Sequence, residues 1–551
     1  MATAPFHVYD TTLRDGAQQE GMNLSVADKL AIAPLLDELG VGFIEGGWPG
    51  AIPKDTEFFR RAAKEIELRH AVLAAFGSTR KAGTRAWDDP QVRALLDSEA
   101  PVVTLVAKSD VRHVERALRT TPDEGIAMIR DTVEFLVGEG RRVVVDAEHF
   151  FDGYRYDAGY TRSAVVAAFE AGAEVVALCD TNGGMLPSWV GDVVTELRES
   201  LGMAHGRDAL PGDALLGMHA HNDSGCAIAN TLAAVDAGCA HVQGTVNGYG
   251  ERTGNVDLVA VVANLALKSG IRTLPGDGLA ESTRIAHAVA EITNIAPHAR
   301  QPYVGASAFA HKAGLHASAI KVDPDLYQHI DPTAVGNDMR MLVSDMAGRA
   351  SIELKGRELG FDLAGQGELL TRVTTRVKDA EAQGYTFDAA DASFELILRE
   401  ELTGDRPHYF RIESWRAIVE TSGGRSGGTP NADRRDAEAL AEATVKLHAG
   451  GERIVVTGEG NGPVNALDQA LRHALTRVYP QIEKFDLVDF KVRILDAEHG
   501  TDATTRVLVE TTDGQHTWST VGVGPNIIEA AWEALIDAHV YGLVHAGVDP
   551  R

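Results

Sequence analysis

RVVVDAEHFFDGYRYDAGYTRSAVVAAFEAGAEVVALCD, residues 142–180, decides the fold: two β-branched runs, RVVVDAE and EVVALCD, flank a longer amphipathic segment. Short runs buried on both faces and separated by a helix-length stretch are the mark of parallel strands joined by crossover helices. Working outward, the same alternation extends from Phe6 to about Leu267, with further runs at 7–9, 41–45, 71–76, 102–107, 215–221 and 240–245. Eight strand–helix units in this length predict a closed (β/α)8 barrel. A doubly wound open sheet is the alternative, but it would usually show fewer strands and often a Gly-rich dinucleotide turn after the first. Helices are expected over Ser25 to Leu39 and Gly125 to Val137, with Gly40 and Gly138 as their C-terminal stops.

Beyond the barrel the character changes. Residues 268–411 read as a helical linker subdomain, with helices at Asp277 to Thr293, Asp345 to Leu359 and Gly367 to Gln383, and loops carrying His311, His316 and Tyr327. Residues 412–551 contain an internal repeat: 445–471 and 507–535 share an order of strand, Gly turn, strand, G-x-G, Pro and helix. Gly450-Gly451 and Asp513-Gly514 are hairpin signals, and 421–436, TSGGRSGGTPNADRRD, reads as a flexible loop. The expected architecture is therefore an α/β chain: barrel 1–267, helical linker 268–411, and a C-terminal α+β module 412–551.

With 52 basic against 79 acidic side chains the net charge is −27, which argues against nucleic acid and anionic membranes as partners. An anionic substrate must then be held by a local positive feature. Three cysteines cannot build a disulfide framework, and no stretch of 18 apolar residues or N-terminal signal pattern occurs, so a cytoplasmic protein is expected. GEGNGP (458–463) lacks the Lys-Ser/Thr ending of a phosphate loop.

In a barrel of this kind chemistry sits at the C-terminal ends of the strands. Arg14 and Asp15 follow the first strand, Glu45 ends the second, Glu148 the fifth, Asp180 and Thr181 the sixth, and His219 and His221 the seventh. Alternate residues of a strand share a face, so both imidazoles of His219-Ala220-His221 can reach one ion. Barrel closure brings Asp15 near them, and Asn255, after the eighth strand, can add an amide oxygen. An isolated H-x-H is equally readable as two satisfied polar side chains; the carboxylate and the amide favour the ion. Mixed N and O donors with open positions suit a divalent Mg, Mn, Zn or Co ion. A 2-oxo acid could chelate such an ion, and Arg14 could neutralise the oxyanion that grows when its ketone is attacked.

YDTTLRDGAQQEG (9–21), HAHNDSG (219–225), CDTNGG (179–184), NGYGERTGN (247–255) and AFAHKAGLHASAI (308–320) together resemble the DRE-TIM metallolyase superfamily. The likeness is to its condensing branch of isopropylmalate, homocitrate and citramalate synthases, and the C-terminal repeat is similar to the regulatory domain of isopropylmalate synthases. The resemblance implies Asp15, His219 and His221 as metal ligands with Asn255 as a further one. It implies Arg14 and Thr181 on the 2-oxo acid, Gln18 facing the acetyl group, and Glu148 in proton transfer. His316 is implied as an acid or base reaching into the barrel of a second subunit, hence a homodimer, and Tyr327 matches a nearby catalytic tyrosine. Acetyl-CoA is the implied co-substrate. GGWPGAIPKD (46–55) is similar to the citramalate-forming members, which implies pyruvate as acceptor and isoleucine biosynthesis as the pathway, and the C-terminal repeat then implies isoleucine as feedback amino acid at that domain. 2-Oxoisovalerate and then 2-oxoglutarate are the alternative acceptors.

Overall fold

The computed structural model describes residues 6–202, 215–420, 440–495 and 503–551; the glycine- and serine-rich run 421–436 lies outside them. The chain divides into two compact units, Met1–Phe309 with Ile330–Asp338, and Ala310–His329 with Met339–Arg551.

The first unit is a closed barrel of eight parallel strands in sequential order: β1 (His7–Asp10), β2 (Phe43–Gly47), β3 (Val72–Ser78), β4 (Val102–Lys108), β5 (Arg142–Glu148), β6 (Val175–Asp180), β7 (Leu215–Ala220) and β8 (His241–Gly244). Every strand expected from the hydrophobic runs is present. Closure pairs β8 with both neighbours: His219 lies opposite Gln243, and Asp10 opposite Gly244. That register carries the end of β7 towards the loop after β1.

The surrounding helices start and stop for identifiable reasons. Helix Val26–Leu39 is opened by a capping box between Ser25 and Asp28 and closed by Gly40 at φ 94°. A Cβ there would lie 2.5 Å from a Pro275 ring carbon, so only glycine fits. The helix expected from Gly125 begins earlier, as Pro122–Gly138, because Thr121 accepts the Glu124 N–H and Pro122 occupies the first position. Gly138 is not its stop: it remains helical, and the left-handed turn falls at Gly140, φ 80°.

At the barrel's N-terminal end Tyr9, Phe43, Val102, Val144, Val175 and Leu215 form an apolar plug. His241 is fully buried among them, with neither ring nitrogen hydrogen-bonded and the rings of His7, Tyr9 and Phe43 around it.

The second unit contains helices Gly314–Val322, Arg349–Glu358, Gly367–Ala382 and Asp391–Thr403. The helix expected from Asp345 begins only at Arg349, after Gly348. Lys355 is wholly buried and is neutralised by Glu358 and Asp391. The C-terminal repeat is visible as two antiparallel three-stranded sheets, each followed by a helix. The first comprises Phe410–Glu420, Leu440–Ala449 and Glu452–Gly460, then helix Pro463–Leu475. The second comprises Asp486–Ile494, Thr505–Thr512 and Thr517–Gly524, then helix Ile527–His545. The leading strand of each copy was not recognised in the sequence. Among the described residues no helix is long and apolar enough to cross a membrane.

Burial, reinforced by the nearby charges of His7 and His219, holds the His241 imidazole well below its ordinary pKa. Below about pH 6.5 the unfolded chain then takes up a proton that the folded chain refuses, at a cost of up to about 1.4 kcal/mol per pH unit. His241→Leu is expected to shrink the drop in Tm between about pH 7.5 and about pH 5.5 relative to the parent; equal drops in both proteins would rule this group out as a source of acid sensitivity.

Candidate metal centre

The turn after β1 is built around Thr11, whose carbonyl accepts the N–H groups of Arg14, Asp15 and Gly16. Asp10 braces it by accepting the Thr12 N–H and hydroxyl, and Thr12 Oγ1 in turn accepts the Val246 N–H from beyond β8. Asp15 is thereby delivered to the end of β7. Its Oδ2 lies 3.2 Å from His219 Nε2, which lies 3.3 Å from His221 Nε2. All three side chains are buried, and their candidate donor atoms fall within 4.8 Å of one another.

Burial alone would raise the Asp15 carboxyl, but the Arg14 guanidinium and the His219 imidazole outweigh it and hold the group well below the usual carboxylate range. Burial and the neighbouring His219 push His221 down to about 4. The carboxylate is thus ionised and His221 neutral near neutral pH, the states in which both can bind a cation.

The protonation of His219 follows from its neighbours. Gln243 Nε2 donates to Asp146 Oδ1 at 2.8 Å, which turns the amide oxygen towards His219 Nδ1, also at 2.8 Å. Nδ1 therefore donates to the amide oxygen, and the Asp15 carboxylate beside Nε2 outweighs burial and raises the imidazole above its ordinary pKa, so a cation bound there takes the place of the Nε2 proton. Asn255 pairs with His221 through an isolated antiparallel bridge. Its Nδ2 donates to the Tyr249 carbonyl, and its Oδ1 is buried with no hydrogen-bond partner. A Cβ at Gly250, φ 151°, would lie 2.3 Å from Asn255 Nδ2, so the loop needs glycine there to seat the amide. One carboxylate, two imidazole nitrogens and an orphaned amide oxygen make a donor set that fits a divalent cation.

Arg14 flanks this cluster. Its Nε donates to Glu45 Oε2 at 2.5 Å, Nη1 lies 3.4 Å from Asp15, and the guanidinium stacks 3.8 Å above the Phe76 ring. Tyr9 donates to the other Glu45 oxygen. Trp48 packs edge-on against Phe76. Trp48 is placed by Asp55, which accepts its backbone N–H and is neutralised by the buried Lys29 at 2.5 Å. The GGWPGAIPKD run therefore builds the wall behind Arg14.

Further round the mouth, Thr181 Oγ1 accepts the His149 N–H at 2.8 Å, and Arg252 donates to the Thr181 carbonyl and to Asp223. Glu148 is ion-paired with Lys108. Gln18 sits exposed on the single turn Gly16–Gln18. His316 and Tyr327 lie in the second unit, stacked with ring centroids 4.1 Å apart. Gln243 and Lys108, which contact His219 and Glu148, were not singled out in the sequence; the signal for Gln243 was its place one strand from His219 in AHVQGT.

A family model described as HMGL-like matches residues 6–289, one described as homocitrate synthase post-HMGL domain-like matches 303–385, and one described as LeuA allosteric (dimerisation) domain matches 388–543. The (R)-citramalate synthase of Streptomyces coelicolor is 63% identical over 99% of this chain and 98% of its own length. That of Synechocystis is 47% identical over 97% of this chain and 96% of its own. The 2-isopropylmalate synthase of Pyrococcus furiosus is 29% identical over 96% and 98% respectively.

If Gln243 fixes the His219 tautomer, Gln243→Leu is expected to weaken Mn or Zn binding by about 10- to 100-fold, measured by competition with a chromogenic chelator. Unchanged affinity in a folded variant would show that His219 needs no such support.

Proposed function

This chain belongs to the HMGL-like family, in the condensing branch with the (R)-citramalate synthases, and we propose that it joins acetyl-CoA to pyruvate and hydrolyses the resulting thioester with water to give (R)-citramalate and CoA. The observation that carries this reading is full-length likeness to citramalate synthases at 41–63% identity in five of them, set beside a buried Asp15, His219 and His221 cluster next to Arg14.

A divalent ion held by Asp15, His219, His221 and Asn255 would orient the 2-oxo acid and polarise its carbonyl. Arg14, fixed by Glu45 and Phe76, is preorganised to neutralise negative charge that develops on the ketone oxygen. Thr181 Oγ1 already accepts one hydrogen bond, which leaves its proton for the substrate carboxylate. Glu148, at the end of β5, takes the acetyl methyl proton, and Gln18 faces the acetyl group. His316 and Tyr327 serve proton transfer in the barrel of a second copy. The homodimer this requires is supported by the match to a dimerisation domain and by exposed apolar side chains on both C-terminal sheets, Val419 and Val455 on one, Val488 and Ile494 on the other.

The division of labour we infer assigns catalysis to residues 1–267, linkage to 268–411 and regulation to 412–551. A cavity of about 730 Å³ in the C-terminal module is lined by Asn461, Asn465, Arg472, Asp486, Ile527 and Ile528. Paired charges beside branched aliphatic side chains suit a zwitterion with an apolar side chain, in keeping with isoleucine as feedback inhibitor.

Thiol release from acetyl-CoA should be fastest with pyruvate among pyruvate, 2-oxoisovalerate and 2-oxoglutarate, and should stop on exhaustive chelation. A rate with 2-oxoisovalerate equal to that with pyruvate would reassign the acceptor, since one methylene in an apolar pocket is worth about 1–3 kcal/mol. Isoleucine should slow the full chain, and a chain ending at residue 411 should no longer respond; an intact enzyme indifferent to isoleucine contradicts the regulatory reading. Mixed Asp15→Ala and His316→Ala chains should regain activity after subunit exchange, and inactivity of the exchanged mixture would place both groups in one subunit's site.

A further inference from the structure

β4 ends at Lys108 and β5 at Glu148, and the two residues are paired in register. Matched positions on adjacent parallel strands project to the same side, and here their side chains meet as an ion pair at the mouth. The Lys108 and Glu148 side chains keep 28% and 23% exposure, so this pair faces the open end of the barrel and lies outside the packed interior. A pair so placed contributes little to stability.

The backbone beside it is nevertheless held with care. Ser109, following Lys108, donates both its N–H and its hydroxyl to the Glu148 carbonyl. His149, following Glu148, sits at φ 56° and ψ 33°, donates its N–H to Thr181 Oγ1, and stacks on His113 with ring centroids 4.1 Å apart. A non-glycine residue in the left-handed region is uncommon and persists where its surroundings enforce it, often at functional sites. The ends of the two strands are thus tied together at the point where Lys108 and Glu148 meet.

The other cations described at this mouth have partners that occupy them. Arg14 is bound by Glu45 and Asp15, and Arg252 by Asp223 and the Thr181 carbonyl. Among carboxylates, Glu45 serves Arg14 and Tyr9, Asp180 accepts the Gly184 and Met185 N–H groups, and Asp146 accepts from Gln243. Lys108 and Glu148 have each other, in a pair open enough to separate.

We propose that Lys108 is a second catalytic residue for the acetyl half-reaction: its ammonium holds the thioester carbonyl oxygen while Glu148 removes a methyl proton. This rests on the assignment of Glu148 as the base. The methyl carbon and the carbonyl oxygen of an acetyl group flank one carbon atom, so base and oxyanion donor must be neighbours, as these two are. The Glu148 carboxylate takes the proton and the C–H pair becomes the C=C bond of the enolate. The carbonyl π pair moves onto oxygen, where a Lys108 N–H donates to it. When the enolate carbon attacks the pyruvate ketone carbon, the thioester C=O re-forms, and the ketone π pair passes to its own oxygen beside Arg14. No oxidant is needed, and water enters only afterwards, to hydrolyse the thioester and release CoA.

The experiment is exchange of the acetyl-CoA methyl protons with D2O, followed by NMR in the holoenzyme with a non-condensing oxo-acid analogue, alongside steady-state kinetics. Lys108→Met should slow exchange and kcat by about 100-fold or more, leave the KM for pyruvate within about threefold and keep the parental melting temperature, and Lys108→Arg should recover part of the loss. The loss should persist as pH rises. A deficit that disappears at high pH would mean that Lys108 only tunes the basicity of Glu148 and would overturn the proposal, as would exchange within about threefold of the parent. If Lys108→Met melts early, Lys108→Gln and Lys108→Arg decide: equal exchange in these two, both folded, refutes a role for the positive charge. Glu148→Gln separates the two readings, since exchange that survives this variant removes Glu148 as base, whereas the Lys108 variants report on the oxygen.

Discussion

Two imidazole lone pairs and an ionised carboxylate aimed at one point repel one another unless positive charge lies between them, and the mouth of this barrel is organised around that constraint. The three donors come from opposite ends of the chain's first 221 residues, with Asp15 after β1 and His219 and His221 at the end of β7. Only closure through β8 brings them within 4.8 Å. Burying such a set is costly in a low dielectric, and the surrounding groups reduce the cost. Arg14 offsets the carboxylate, Gln243 fixes a proton on the far side of His219, and Asp146 fixes Gln243. Each layer sets the state of the one inside it, which is how a rigid scaffold prepares a site before a ligand arrives.

Much of this was legible in the sequence because strand periodicity is a strong signal. The H-x-H spacing at 219–221 stated that both rings share a face, and the β-branched runs located all eight strands. Helix ends were harder. Gly138 carries the residue type of a stop, yet a left-handed conformation is needed only where the chain turns, two residues later at Gly140. The strands Phe410–Glu420 and Asp486–Ile494 escaped notice because each lies outside the hairpin whose turn residues marked the repeat. Gln243 and Lys108 were hidden for another reason. A polar side chain ending a strand does not say which partner it will meet, and the partners here are supplied by register between strands distant in sequence.

The run after β2 shows how a local motif acquires meaning only in three dimensions. Lys29 and Asp55 form a buried pair of opposite charges, and such a pair is weak grounds for stability because desolvation offsets the attraction. Its effect is geometric. Asp55 accepts the Trp48 N–H and Lys29 also donates to the Gly46 carbonyl, so the loop is fixed on either side of Gly47. Trp48 then bears on Phe76, and Phe76 bears on Arg14. A chain of contacts thus runs from a helix on the barrel's outside to the guanidinium at its mouth.

Charge distribution follows the same logic. A chain of net charge −27 that handles two anionic substrates must keep cations at the place of binding without letting nearby carboxylates consume them. At this mouth each of the cations described is paired, but the pairs differ in kind. The Arg14–Glu45 contact is closed to solvent on the Glu45 side and stacked on an aromatic ring, which fixes the guanidinium as a permanent feature of the wall. The Lys108–Glu148 pair is partly exposed and joins a flexible side chain to another, so it can separate when a ligand competes for either member. A fixed arginine suits a charge that always develops at one position, and a mobile lysine suits one that appears only after a proton has been removed. The difference between the two pairs fits the roles proposed for them: a fixed cation beside the acceptor, and a separable one beside the base that generates the nucleophile.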